Sequence, residues 1–152
     1  VAHPTYFVRI VAEAQKADIP ITLVEAASPK EIEDGLRAVA QKVDALVILS
    51  DTFFVGQAKQ LATHAAKHRL PAIFHDAAFA NAGGLFSFGP DLTNNFSNAA
   101  IYVDKILHGA NPAELPFEQP SVYHLLINMK SAETLGLKLP STLTVRASQL
   151  IR

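Results

Sequence analysis

Apolar and polar positions along the chain alternate between helical spacing and short unbroken runs. From Pro4 to about Ala17 the apolar residues Phe7, Val8, Val11 and Ala14 recur with a helical period, and Pro4 suits a first helical turn. Ile19-Pro20-Ile21-Thr22-Leu23-Val24 reads as a strand, with Pro20 at its entrance, where a missing N–H is tolerated. Ser28-Pro29-Lys30-Glu31 is a capping box with proline in the first helical position. The helix it opens is expected to reach about Val43, with Ile32, Leu36, Val39 and Val43 on one face. Then comes Asp44-Ala45-Leu46-Val47-Ile48-Leu49-Ser50-Asp51, an apolar run with a carboxylate at each end, which predicts a strand buried on both faces of a parallel sheet.

Thr52 to Gly56 reads as a loop, and Gln57 to Arg69 as a helix carrying Leu61, Ala62, Ala65 and Ala66. Leu70-Pro71-Ala72-Ile73-Phe74 is a further short strand that ends in His75-Asp76. Helix and strand alternate to this point, as in a parallel sheet with crossover helices. In such sheets ligands lie outside the carboxyl ends of the strands, which marks Ser50-Asp51-Thr52 and His75-Asp76.

Beyond this the pattern changes. Asn81-Ala82-Gly83-Gly84 is a turn, Leu85 to Phe88 a short strand, and Gly89-Pro90 a breaker. Asp91 suits the cap of a long helix with Leu92, Phe96, Ala99, Val103 and Ile106 on a buried stripe and Gly109 closing it. Asn111 to Pro120 holds three prolines and reads as an extended connector. Val122 to Asn128 is a last strand, Ser131 to Leu135 a short helix ending at Gly136, and Leu139 to Arg152 one more helical piece.

Composition narrows the classes. Thirteen basic and fourteen acidic residues give a net charge of -1, without the basic excess of a nucleic-acid surface. At 49% hydrophobic and 18% charged residues in 152, the chain is globular and sized for one domain. There is no cysteine, hence no disulfide, thiolate metal site or cysteine nucleophile. No apolar run approaches the roughly 20 residues that span a bilayer, and no signal peptide pattern is present. Val1-Ala2-His3-Pro4 is too short for the strand that normally opens a doubly wound domain, so the chain is expected to begin in mid-domain.

Gly83-Gly84-Leu85-Phe86-Ser87-Phe88-Gly89-Pro90 is followed by Tyr102-Val103-Asp104-Lys105-Ile106-Leu107-His108-Gly109-Ala110-Asn111-Pro112 and, later, by Leu126-Ile127-Asn128-Met129-Lys130. Ala132-Glu133-Thr134-Leu135-Gly136-Leu137-Lys138-Leu139-Pro140 completes the series. In order and spacing these pieces resemble the ABC transporter substrate-binding proteins of the tryptophan/tyrosine-binding type, and Asp44 to Ala72 resembles that family's second-lobe strand–helix–strand. The resemblance implies an α/β fold: a three-layer, parallel-sheet lobe of the type I periplasmic binding protein-like kind. The chain is similar to the carboxyl-terminal lobe, with the first strand and the partner lobe missing. It implies a ligand-binding lobe over residues 1–82, a hinge strand, crossing helix and connector over 83–120, and a return strand with terminal helices over 121–152. It further implies no catalysis and no cofactor, a small-molecule ligand such as an amino acid, an ABC permease as partner, and a periplasmic or extracytoplasmic location. A long helix that lacks its partner lobe would be open to a swapped homodimer.

Candidate site residues follow from both arguments. Asp51 has the charge for an ammonium group and Thr52 the hydroxyl for a carboxylate; the structural alternative is that Asp51 caps the next helix. His75 and Asp76 end the adjacent strand and are expected to face the same crevice, though neighbouring residues point apart and no third partner makes a catalytic set. Phe53, Phe54, Phe79 and Phe88 are candidates for an aromatic wall. His64 and His68 have a zinc-compatible spacing but no third ligand, and read as a solvated helix face. His3 is a possible cleft residue at the chain's start, Ser28 a cap, and Gly83-Gly84 a turn or hinge. Glu31, Glu33 and Asp34 suit the positive end of a helix dipole. Two rival functions stand beside this one, the first of them sharing the two-lobe architecture. A ligand-sensing domain of a transcription regulator would need a DNA-binding segment, and a small flavodoxin-like enzyme would need a convergent acid–base pair.

Overall fold

Five short strands form one mixed sheet in a computed structural model that describes residues 4–152; His3 lies outside the described residues. The strands are β1 (Leu46–Val47), β2 (Ala72–Phe74), β3 (Phe86–Pro90), β4 (Tyr123–Asn128) and β5 (Gln149–Ile151), hydrogen-bonded in that order. β1, β2 and β3 run parallel, β4 is antiparallel to β3, and β5 runs parallel to β4. Eight α-helices and a short 3-10 helix (Pro112–Glu114) complete the described chain: α1 (Pro4–Lys16), α2 (Pro29–Val39), α3 (Thr52–Gly56), α4 (Ala58–Lys67), α5 (Ala77–Asn81), α6 (Leu92–Leu107), α7 (Met129–Thr134) and α8 (Ser141–Thr144). None is long and apolar enough to cross a membrane.

The core lies on one face of the sheet. Ile32 and Leu36 of α2 meet Ala58, Leu61, Ala62 and Ala65 of α4, and these cover Ala72 and Phe74 of β2 together with Phe79 of α5. Leu46 and Ile48 pack against the same cluster. The capping box works as the sequence predicts: Ser28 Oγ accepts the Glu31 N–H, and Glu31 reaches back to the Ala27 N–H at 2.8 Å. That fixes the start of α2 and turns Ile32, Leu36 and Val39 inward.

Several expectations need correction. The run Asp44–Asp51 is not buried on both faces: β1 is the edge strand, and Val47, which points away from the helices, is 70% exposed. Ile19–Val24 forms no strand and pairs with none among the described residues, and Ile19, Ile21 and Leu23 are exposed. Thr52–Gly56 is a helix, because the Asp51 carboxylate caps it. Gly89-Pro90 does not end β3 but lies within it, paired with His124 and Tyr123. The apolar stripe of α6 is not buried: Phe96 is 74% exposed, and Leu92, Val103 and Ile106 are exposed as well. The tail is only partly helical, since Gln149–Ile151 joins the sheet as β5.

Phe79 sits at the join of helix and sheet with no exposed surface, edge-on to Phe74 at 5.9 Å between ring centroids. Gly84 makes room for it, because a Cβ there would overlap the Phe79 ring. Truncating a fully buried phenylalanine costs about 3–5 kcal/mol through lost burial and the cavity left behind. Phe79→Ala is therefore expected to lower the unfolding free energy by about that amount in a urea titration. A loss below about 1 kcal/mol would mean that Phe79 is not the keystone of this join.

Candidate functional site

Each of the three parallel strands is followed by an aspartate that caps the next helix. The Phe53 N–H donates to Asp51 Oδ1 at 2.8 Å, the Ala78 N–H to Asp76 Oδ1 at 2.7 Å, and the Asn94 N–H to Asp91 Oδ1 at 3.0 Å. A short side-chain oxygen at the N-cap satisfies a backbone donor that the helix leaves open. The strand–Asp–helix pattern therefore gathers carboxylates at the carboxyl ends of the strands, where open α/β sheets bind ligands.

A cleft of about 570 Å³ opens at this end. His75, Asp76 and Ala77 form one wall, Asp91, Leu92 and Thr93 another, and Gly89, His124 and Leu126 line the sheet between them. Ser148 and Gln149 close the far side. A small apolar gap of about 70 Å³ lies elsewhere, between α4 and α7 near Gly83 and Leu85, with room for a water or two and no solute.

Close backbone approach shapes the floor of the cleft. A Cβ at Gly89 would overlap the carbonyl oxygen of His75, so glycine is required where β3 passes the end of β2. Buried Ser87 ties the same corner: its Oγ donates to the Asp76 carbonyl at 2.7 Å and accepts the Ala80 N–H at 3.2 Å. Asn128 donates from Nδ2 to the Ala80 carbonyl at 2.9 Å and accepts the Ser131 N–H at 3.0 Å. These bonds fix α5, β3 and β4 relative to one another, so the groups facing the cleft stand on a rigid base.

Asp91 joins the two points where the chain leaves and re-enters this base. Its N–H donates to the Val122 carbonyl at 2.9 Å, and its Oδ2 accepts from His124 Nε2 at 3.0 Å. The Asn94 N–H first, and His124 second, hold its carboxyl below the ordinary range. The Phe53 N–H does the same for Asp51. Ser50 Oγ lies 3.2 Å from His75 Nε2, while His75 Nδ1 is buried without a hydrogen-bond partner.

His75 and Asp76, read from the sequence, thus lie on the cleft wall. Asp51 and Thr52 start α3 at the end of the neighbouring strand and do not line the cleft, although Ser50 reaches it through His75. Phe53 packs against the core cluster with Phe54, and Phe79 is core. Phe88 lies on the opposite face of the sheet, where it stacks on Tyr123 at 5.6 Å. His64 and His68 remain a pair, and the described residues contain no group of three His, Asp or Glu able to hold a metal. His124, Thr93, Ser148 and Gln149 enter the cleft unannounced, because the antiparallel return of β4 and the strand β5 carry them there.

The profile of a family described as ABC transporter substrate binding protein matches residues 5–151. No curated protein sequence matches the chain. A conserved domain protein from Vibrio cholerae biovar El Tor superposes with a TM-score of 0.87 at 23% identity, over 96% of this chain and 49% of that one. An ABC domain from Streptococcus pneumoniae, solved in complex with L-Trp, superposes with a TM-score of 0.86 at 25% identity, over 97% and 50%. A ligand-free, open substrate binding protein with adhesive properties from Clostridium difficile gives 0.72 at 18% identity, over 99% and 52%. The chain spans about half the length of each of these structures.

The depressed carboxyl of Asp91 has a consequence for acid stability. A lowered native value stabilises the fold above the ordinary carboxyl range, near pH 4, and that contribution is lost as pH falls through the native value. Asn caps a helix as well as Asp does but does not titrate. The stability difference between wild type and Asp91→Asn is expected to shrink as pH is lowered from about 5 to about 3 in denaturant titrations. A constant difference would show that the Asp91 charge adds nothing to the fold.

Proposed function

This chain belongs to the ABC transporter substrate binding protein family, and we propose that it supplies one wall of a solute-binding cleft and performs no chemistry. The observation that carries the reading is the cleft of about 570 Å³, rimmed by polar side chains, at the carboxyl ends of β2 and β3, beside the antiparallel return of β4. Its volume falls within the roughly 300–1,000 Å³ usual for small-molecule sites. A rigid floor with polar groups at the rim is the form that recognition of a small solute needs.

The second wall is proposed to come from a second lobe. Length supports this, since the chain spans about half of each solved structure it matches. The exposed apolar stripe of α6 and the unpaired segment 19–24 are surfaces that another body would cover. On this reading residues 1–82 form the ligand-binding lobe, 83–120 the hinge strand, crossing helix and connector, and 121–152 the return. A solute touching both lobes only in the closed state shifts the population toward closure, and the closed form is what an importer's permease recognises outside the cytoplasm. An amino acid is the proposed solute, in keeping with the L-Trp bound by the S. pneumoniae domain. Asp51, Thr52, Phe53 and Phe88 are proposed to meet the ligand only in the two-lobed form.

A thermal-shift screen of free amino acids against this chain and against a two-lobed protein containing it tests the reading. A solute at 100 times its dissociation constant stabilises the binder by about 2.7 kcal/mol. The two-lobed protein is expected to shift by that amount with one solute class, and this chain by much less. Equal shifts would make the single lobe a complete site, and no shift in either would remove the binding role.

A further inference from the structure

We propose that the cleft selects its solute by the sign of its charge: it takes an ammonium-bearing solute and rejects one whose polar group is a carboxylate or a phosphate, with Asp91 carrying the selection. The inference rests on the solute-binding reading of this same cleft.

Charge at the wall is one-sided. Asp76 and Asp91 line the cleft, and no lysine or arginine does. The remaining polar groups of the rim, Thr93, Ser148 and Gln149, are neutral. Each histidine has its Nε2 committed to a neighbour, His124 to Asp91 and His75 to Ser50, and the remaining His75 nitrogen, Nδ1, is buried. An anion brought out of water needs a cation or a set of open N–H donors. A helix start normally offers such donors. Here the starts of α5 and α6 are already closed by Asp76 and Asp91, which accept the Ala78 and Asn94 N–H groups. The groups that would welcome an anion are thus occupied by carboxylates that repel it.

An ammonium group meets the reverse situation. Asp91 accepts from the Asn94 N–H, His124 Nε2 and the Thr93 N–H, and an ionised carboxylate has about four acceptor positions, so room for a further donor remains. Its capping bond fixes the carboxylate on the rim in a single orientation, so an incoming N–H finds an acceptor already placed. Leu92 and Leu126 beside it offer apolar surface to the hydrocarbon part of the same solute.

The test is an NMR titration of the 152-residue chain with three compounds of one skeleton, phenethylamine, L-phenylalanine and 3-phenylpropionate, at neutral pH. Phenethylamine is expected to bind about tenfold more tightly than 3-phenylpropionate, the worth of one charge-assisted hydrogen bond. Asp91→Asn keeps the cap of α6 and is expected to lower phenethylamine affinity about tenfold while leaving 3-phenylpropionate unchanged or tighter. Asp34→Asn, on α2 away from the cleft, is expected to leave both unchanged. Equal binding of the two charge types, or an Asp91→Asn chain as good for the amine as the wild type, overturns the charge inference and leaves solute binding standing. A loss with Asp34→Asn as large as with Asp91→Asn overturns the assignment to Asp91. Absence of cleft shifts with all three compounds overturns this inference, whereas the solute-binding reading falls only if the two-lobed protein shows no thermal shift either.

Discussion

The structure depends on aspartates that end strands and begin helices. Asp51, Asp76 and Asp91 each place a carboxylate oxygen on a backbone N–H of the following helix, at 2.8, 2.7 and 3.0 Å. One local bond does two things. It stops the strand and starts the helix, which sets the alternation of the fold. At Asp76 and Asp91 it also holds a charged group on the wall of the cleft. Fold and candidate site therefore share the same side chains, and a charge change there acts on both.

Close packing then makes that edge rigid. Gly89 passes the His75 carbonyl at a distance no side chain would permit, and Ser87 and Asn128 bind α5 to β3 and β4 from beneath. Beyond Asp91 the character changes. Residues 92–122 leave the sheet as α6 and a proline-containing connector, and Tyr102 Oη donates to the Pro116 carbonyl at 2.8 Å, tying the excursion to itself. No residue of α6 is buried. The Asp91–His124 bond and the Asp91–Val122 backbone bond extend the β3–β4 pairing that bridges its departure and return.

Much of this was legible in the sequence, for physical reasons that can be named. The cap chemistry of Ser28 and Asp91 is local, so three or four residues predict it. The helical faces of α2 and α4 follow from spacing alone. The burial of Asp44–Asp51 did not follow, because burial is set by the neighbours a strand finds and not by its own hydrophobicity; β1 has helices over one face and an open edge. The same holds for Ile19–Val24 and for α6, whose apolar residues meet no partner among the described residues. The cleft was half visible. His75 and Asp76 follow a short apolar run directly, whereas His124 reaches it through a strand pairing across the long connector, and Ser148 and Gln149 through one across the tail. Phe88 illustrates period two: one step from buried Ser87, it faces the other side of the sheet.

Mapping where a solute lands is the most direct measurement. Backbone amide shifts would be followed while a mixture of free amino acids is added to the isotopically labelled chain. The account predicts shifts confined to residues 75–77, 89–93, 124–126 and 148–149, which surround the cleft at the carboxyl ends of the parallel strands. Shifts centred instead on Ala62, Leu70 and Leu135, around the small apolar gap, would contradict it.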